Sequence, residues 1–567
     1  MTRTHEPLPP AQRATERTAK RAVNIADQLA AMAERYPDKR AVVWPIGRDD
    51  AGRARYGEIT FAALNQETDR YAHGLERVGI TRGTRTILFV KPGPEFFALT
   101  FALFKVGAVP VLIDPGIGKQ QMGLCLAGVR AEAFIGLPLA HVFRKLYPRS
   151  FSAVRVAVTV GRRWLWGGLC LADLRTDPWR PYSTAATDAH DPAAILFTSG
   201  STGPAKGVLY EHGMFDAQVR QLHAHFGYSA EEVDLPTFPL FALFDAALGM
   251  TAVIPDMDFT RPGSVDPERI IEPVRDHGVT HMFGSPALLD RVSRYGIKTG
   301  AKLSTIKRIL TAGAPVPPVV PERLHRMLPD EAEIHTPYGA TEALPVASIS
   351  SREILRDTRD RTARGGGTCV GKPMPELDVR IIRISDDRLS DWADVIESPP
   401  GEIGEIVVKG PVVTQAYFDN AAATAMAKIP DGDTAWHRMG DVGYFDEKGR
   451  LWFCGRMAHR VRTETGTLFT VPCEARFNQH PHVFRSALVG IGSPGRQVPV
   501  ICIELEVDHR DADRDLLTRE LLELAEADEL TNEIKTVLVH AGFPVDVRHN
   551  AKIFREKLAV WAASQLR

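Results

Sequence analysis

The chain has 567 residues, too many for one hydrophobic core and enough for two to four packed units. Hydrophobic residues make up 44% and charged residues 25%, with 69 basic side chains against 70 acidic. This is an ordinary globular composition, and its balanced charge argues against a general nucleic-acid binder. Six cysteines (Cys125, Cys170, Cys369, Cys454, Cys473 and Cys502) show no CxxC spacing. That argues against a zinc ribbon and a disulfide framework, and leaves buried, reduced thiols in a cytoplasmic protein as the expectation. The basic N-terminus (Arg3, Arg13, Arg17, Lys20, Arg21) lacks a following apolar segment, and no stretch reaches the roughly 18 apolar residues of a membrane span.

In chain order, residues 1–23 are polar and read as loose. From Asn24, a candidate N-cap, the spacing of Ile25, Leu29, Met32 and Ala33 predicts a helix. TILFV (86–90), PEFFALTFALFK (94–105) and VPVLI (109–113) read as strand, helix, strand, which predicts α/β layers with largely parallel sheets. The rhythm resumes at AILF (194–197) and runs to about Ile349. Beyond Val379, EIGEIVVKG (402–410) and GYFDEKGRLWFCGR (443–456) suggest short antiparallel or barrel-like strands. A small α+β unit follows, with a strand at VPVICIELEV (498–507), a helix near 513–527 and a last helix from about 552. The change of pattern divides the chain into residues 1–455 and 456–567.

The first chemical signal is FTSGSTGPAKG (197–207). Glycines permit close backbone approach to phosphate, hydroxyls and N–H groups donate, and lysine adds charge. The spacing is not that of a GxxxxGK[ST] loop. The segment resembles the phosphate loop of the adenylate-forming superfamily, which includes acyl-CoA synthetases, peptide-synthetase adenylation domains and luciferases; Ala205 replaces the usual proline. The resemblance runs from about Asn24 to the C-terminus. It implies that Thr198, Ser199, Gly200, Ser201, Thr202, Gly203 and Lys206 hold the phosphates of ATP. TAGAP (311–315) would lay Gly313, Ala314 and Pro315 against adenine. In YGATEA (338–343), Tyr338 would stack on the base beside Gly339 and Ala340, Thr341 would meet the α-phosphate, and Glu342 would hold Mg²⁺. Without the resemblance, YGATEA reads equally as a helix N-terminus capped by Thr341. Asp441, otherwise an ordinary turn residue, would bind the ribose hydroxyls with Arg456 assisting. HNAKIFREKL (549–558) resembles the closing motif, so Lys552 would reach the α-phosphate and carboxylate from a mobile C-terminal lid.

Two departures bear on the fate of the activated acid. Ala242 in PLFALFD (239–245) stands where acyl-CoA synthetases often carry histidine, and at GRMAHRVRTETG (455–466) the familiar DDxIK pattern becomes AHRVR, which also places Ala458 at the usual hinge position. The chain is similar to the β-lactone synthetases of bacterial olefin biosynthesis. That likeness implies a 2-alkyl-3-hydroxy fatty acid whose own hydroxyl closes the ring, and a dehydrogenase and a lactone decarboxylase as pathway partners. His459 is a candidate base for that hydroxyl; a surface or hinge histidine is the plain alternative. Phe241, Ala242, Phe244 and Gly284 are the candidate acyl contacts, with Phe238, Leu243, Ser285 and Pro286 nearby. A long-chain acyl-CoA or acyl-carrier ligase and a non-catalytic nucleotide-binding scaffold remain alternatives. RRWLWGG (162–168) reads either as a lipid or protein contact or as a loop anchored by tryptophans.

Overall fold

A computed structural model describes residues 22–113, 117–197, 205–545 and 552–566. One seven-stranded sheet has the order Leu169–Cys170, Val156–Thr159, Ala133–Gly136, Arg85–Phe89, Val109–Ile113, Pro192–Phe197, Gly207–Glu211. Its neighbours are parallel except for the last pair. Val109–Ile113 is buried throughout, as a strand covered on both faces must be. Helix Pro94–Lys105, with proline as its first residue, is buried from Phe96 to Lys105. The Lys105 ammonium survives there because Asp69 Oδ1 lies at 2.6 Å and Asn65 Oδ1 at 2.7 Å, partners without which a buried charge is strongly destabilising.

A second seven-stranded sheet has the order Glu333–His335, Arg308–Leu310, His281–Phe283, Val233–Pro236, Thr251–Val253, Arg40–Arg48, Ala54–Thr60. Only its final pair is antiparallel. A third, wholly antiparallel sheet runs Tyr338–Ala340, Ala343–Ser348, Thr368–Pro373, Leu451–Arg456, Thr434–Phe445, Gly404–Lys409, Asp378–Ile382, and Lys428–Asp431 pairs with Thr434–Phe445. The α/β pattern therefore ends sooner than its rhythm predicts. Residues 338–348 already belong to the antiparallel sheet, because a short apolar run does not reveal which strand it will pair with.

The C-terminal stretch has its own three-stranded sheet of Val483–Ile491, Val498–Leu505 and Val537–Val539. Helices Thr470–Phe477, Arg514–Glu526 and Arg555–Gln565 accompany it. The last helix begins three residues beyond Lys552, which lies on an extended approach beside the Val545–Ile553 bridge. Asn24 also acts slightly off its expected place: its Oδ1 accepts from Ala26 N (3.0 Å), and the helix is Ala26–Arg35. All six cysteines are free, and only Cys170 is not buried.

Candidate active site

Residues 338–343 form a β-hairpin, not a helix N-terminus. Tyr338 pairs with Ala347 and Ala340 with Ala343, and Thr341–Glu342 occupy the turn. Gly339 is required by close packing, since a Cβ there would lie 2.7 Å from Ala343 O. Gln218 Nε2 donates to Leu344 O at 3.0 Å and Tyr210 OH to Thr341 O at 2.6 Å, fixing the hairpin from the neighbouring helix and strand.

Asp441 and Arg456 stand opposite each other on paired strands, where cross-strand side chains meet. Tyr338 OH donates to Asp441 Oδ2 at 2.6 Å. Arg456 Nη1 lies 3.0 Å from Asp441 Oδ1 and donates to Met439 O, also at 3.0 Å. The Arg456–Asp441 approach is a charge contact without hydrogen-bond geometry, so buried Oδ1 has no hydrogen-bond partner among the described residues. Burial pushes the Asp441 carboxyl up, while Arg456 and Lys552 pull it back. An unsatisfied buried acceptor is costly on its own, so Oδ1 is the oxygen left to accept from a ligand hydroxyl.

Glu342 Oε1 accepts from Tyr417 OH at 2.7 Å, and Glu342 O accepts from Thr414 N at 2.9 Å. Lys206 Nζ sits 4.8 Å from the Tyr417 ring centroid. Lys428 lies beneath, bonded to Thr414 O and Thr414 Oγ1. Burial lowers its ammonium to about 7, with Glu342 and Glu211 opposing the shift. Sequence reading missed Tyr210, Thr414, Tyr417 and Lys428, which no short motif marks. Among the described residues no group of three or more His, Cys, Asp or Glu could cage a metal. Mg²⁺ binds through one or two carboxylates plus phosphates and water, and Glu342 is the carboxylate that the hairpin turn brings to the cavity.

Lys552 comes from the C-terminal unit to the same cavity, close enough for its charge to act on both Asp441 and His459. Arg555, three residues on, donates to Glu474 Oε2 at 2.9 Å and to Leu488 O at 3.1 Å, which ties this approach to the C-terminal sheet. His459 lines the cavity, but burial together with Arg555, Arg456 and Lys552 pushes its imidazole down to about 3. A histidine so placed is a weak proton acceptor.

The cavity has a volume of about 2720 Å³, well above the roughly 300–1,000 Å³ of a small-ligand pocket. Gly313, Ala314, Pro315, Tyr338, Gly339, Ala340, Thr341, Glu342, Asp441, Arg456, Lys206 and Lys552 all line it. So do Phe238, Phe241, Leu243 and Phe244, with Phe241 and Phe283 edge to face at 4.6 Å. Ala242 and Gly284 do not. Ala242 is 1% exposed within the core, and the Cβ direction of Gly284 points at Leu289, 2.8 Å away. Helix Ala242–Leu248 turns Leu243, Phe244 and Leu248 to the cavity and Ala242 and Ala246 to the core. Of the phosphate loop, Thr198, Ser199, Gly200, Ser201, Thr202 and Gly203 lie outside the described residues. Their flanks, Phe197 and Gly207, are paired in an antiparallel hairpin.

Deeper in the cavity, the carboxyl groups of Asp234 and Asp245 act on each other electrostatically and are almost wholly buried. His281 Nε2 stands 3.5 Å from Asp234 Oδ1 and 2.8 Å from Tyr228 OH. Burial, reinforced by mutual repulsion, holds the pair's titration well above the usual carboxylate range.

The model of the AMP-binding enzyme family matches residues 29–418. The olefin beta-lactone synthetase of Stenotrophomonas maltophilia (strain K279a) is 50% identical over 555 residues, covering 96% of this chain and 99% of that protein. The enzyme of the same name from Xanthomonas campestris pv. campestris is 49% identical over 549 residues, covering 96% and 98%. The amide bond synthetase McbA from Marinactinospora thermotolerans shares the fold, with a TM-score of 0.78 at 21% identity over 95% of this chain and 99% of that one. By its sequence, this chain belongs to the AMP-binding enzyme family.

Proposed function

We propose that the protein activates a 2-alkyl-3-hydroxy fatty acid with ATP, releases pyrophosphate, and closes the acyl-AMP to a β-lactone with release of AMP. The observation that carries the reading is the convergence of Tyr338, Asp441, Arg456 and Lys552 on one cavity that also holds a phenylalanine wall. Half-identical relatives named olefin beta-lactone synthetase support the choice of product.

The chain's residues act mainly by position and charge. Asp441 accepts from the ribose, and Tyr338 and Arg456 keep its carboxylate ionised and oriented. Lys552 and Lys206 meet the negative charge that gathers on the phosphate oxygens as the carboxylate oxygen bonds to the α-phosphorus and the bond to pyrophosphate breaks. Glu342 would hold Mg²⁺, which would supply further charge neutralisation. In the second step the 3-hydroxyl oxygen bonds to the acyl carbon, the acyl–phosphate bond breaks, AMP leaves, and the hydroxyl proton passes to solvent or a phosphate oxygen. Holding both reacting groups in one molecule gives effective molarities of about 10⁵–10⁸ M in favourable cases, so no thiol acceptor is needed. The product makes a lactone decarboxylase the expected next enzyme, as the substrate makes a dehydrogenase the expected previous one.

The test is to incubate enzyme, ATP, Mg²⁺ and a 2-alkyl-3-hydroxy acid with and without coenzyme A, and to identify the product by NMR. Lactone formed without thiol is expected. Strict thiol dependence would make the protein an acyl-CoA ligase, and absence of pyrophosphate from any acid would make it a binding scaffold.

A further inference from the structure

Helix Pro138–Leu146 is turned inside out. Leu139, Val142, Phe143 and Leu146 recur at i, i+3, i+4 and i+7 and so share one stripe. Leu139 is nevertheless 78% and Leu146 70% exposed, while polar His141 on the opposite side is fully buried. His141 Nε2 lies 3.0 Å from Val158 O, and the ring of Trp166 stacks on His141 at 5.3 Å. Trp166 Nε1 also donates to Thr159 Oγ1 at 3.0 Å, which fixes residues 160–168 against the helix. Strands Ala133–Gly136 and Val156–Thr159 are parallel neighbours with Gly136 opposite Thr159, so helix and loop leave the same sheet edge. At the loop tip Trp164 is 55% and Leu165 fully exposed.

The surrounding charge is one-sided. Residues 121–168 contain seven basic residues and one acid, Glu132, a net +6 in a chain whose total is −1. Glu132 is already paired with Arg85 at 2.7 Å. Lys145, Arg149, Arg162 and Arg163, which flank the apolar stripe and the tip in sequence, are exposed.

We propose that this stripe and the Trp164–Leu165 tip seat the protein on an anionic phospholipid surface. Exposed leucines and a tryptophan, bordered by arginine and lysine, are what an interfacial segment needs. The apolar side chains enter the headgroup boundary and the cations meet lipid phosphate. The same stripe lines the cavity that continues to the phenylalanine wall and the nucleotide residues. A long-chain acid leaving the bilayer would therefore meet apolar side chains along its path; this last point rests on the proposed substrate, whereas surface binding does not.

Co-sedimentation of the full chain with vesicles tests it, without any substrate. Vesicles of phosphatidylcholine with about one-third phosphatidylglycerol should pellet the protein, and phosphatidylcholine alone should do so at least about tenfold more weakly. Replacing Arg162→Ala together with Arg163→Ala should weaken binding about thirtyfold, and Trp164→Ser with Leu165→Ser by about tenfold or more. Pyrophosphate release from a short, soluble acid should stay at the parental rate in both variants, which separates loss of the surface from loss of folding or catalysis. No pelleting with the anionic vesicles, equal pelleting with neutral ones, or binding that neither variant alters would overturn the proposal; a surface indifferent to lipid would then fall to an acidic protein partner.

Discussion

Lys552 and His459 sit within reach of the same charges yet have opposite prospects. In the proposed reaction Lys552 brings a cation to the place where phosphate charge develops, so Lys552→Ala should slow adenylation by roughly 10²–10³, by analogy with removal of an oxyanion donor. The measurement is the rate of pyrophosphate release at saturating ATP; a parental rate removes Lys552 from the chemistry. His459 is held near 3 by burial and by Arg555, Arg456 and Lys552, so its imidazole is neutral at pH 7 and binds a second proton reluctantly. His459→Ala should form lactone at close to the parental rate. A loss of about 10² or more, the size of a general-base contribution, would restore it as the base.

Strand Val233–Pro236 and helix Ala242–Leu248 together build an acidic contact that neither builds alone. Asp234 shares the strand's cavity-facing row with His281, one pleat deeper than Phe283, and Asp245 faces it from the helix. The pair holds a proton that the same side chains in an unfolded chain release above about pH 4. Its stabilising effect is present at low pH and is lost as pH rises through the raised folded titration. The melting temperature should therefore fall between about pH 6 and about pH 8, and the fall should shrink in Asp245→Asn. An equal fall in the variant would show that the pair does not control it. Glu232 adds repulsion at Asp234, whereas Lys39 only partly offsets the effect at Asp245.

Across the whole molecule, the nucleotide site is assembled from separate sheets. Lys206 comes from the edge of the first parallel sheet, Gly313 follows a strand of the second, Tyr338 and Asp441 belong to the antiparallel sheet, and Lys552 to the C-terminal unit. A ligand spanning all four should stabilise them together. At about 100 times its Kd, a nonhydrolysable ATP analogue should add about 2.7 kcal/mol, read as one upward shift of a single thermal transition. Separate transitions, of which only one moves, would show that the C-terminal unit does not share the site. Arg555, anchored on Glu474, ties Lys552 to that unit.

Much of the architecture was legible in the residues themselves. VPVLI is a buried strand, and PEFFALTFALFK a buried helix, because length, composition and the proline start leave few alternatives. The motifs around Tyr338, Asp441 and Lys552 could be found by their order along the chain. Tertiary structure alone decided what those residues touch. It put Tyr338 OH on Asp441, opposed Arg456 to that carboxylate across a strand pair, supported Glu342 with Tyr417, and removed Ala242 and Gly284 from the cavity wall. It also turned the apolar stripe of helix Pro138–Leu146 outward, against the rule that such a stripe seeks the core. The physical reason is common to all of these. Periodicity reports which side chains share a face, but which face meets water, a ligand or a neighbouring strand depends on contacts with other segments of the chain.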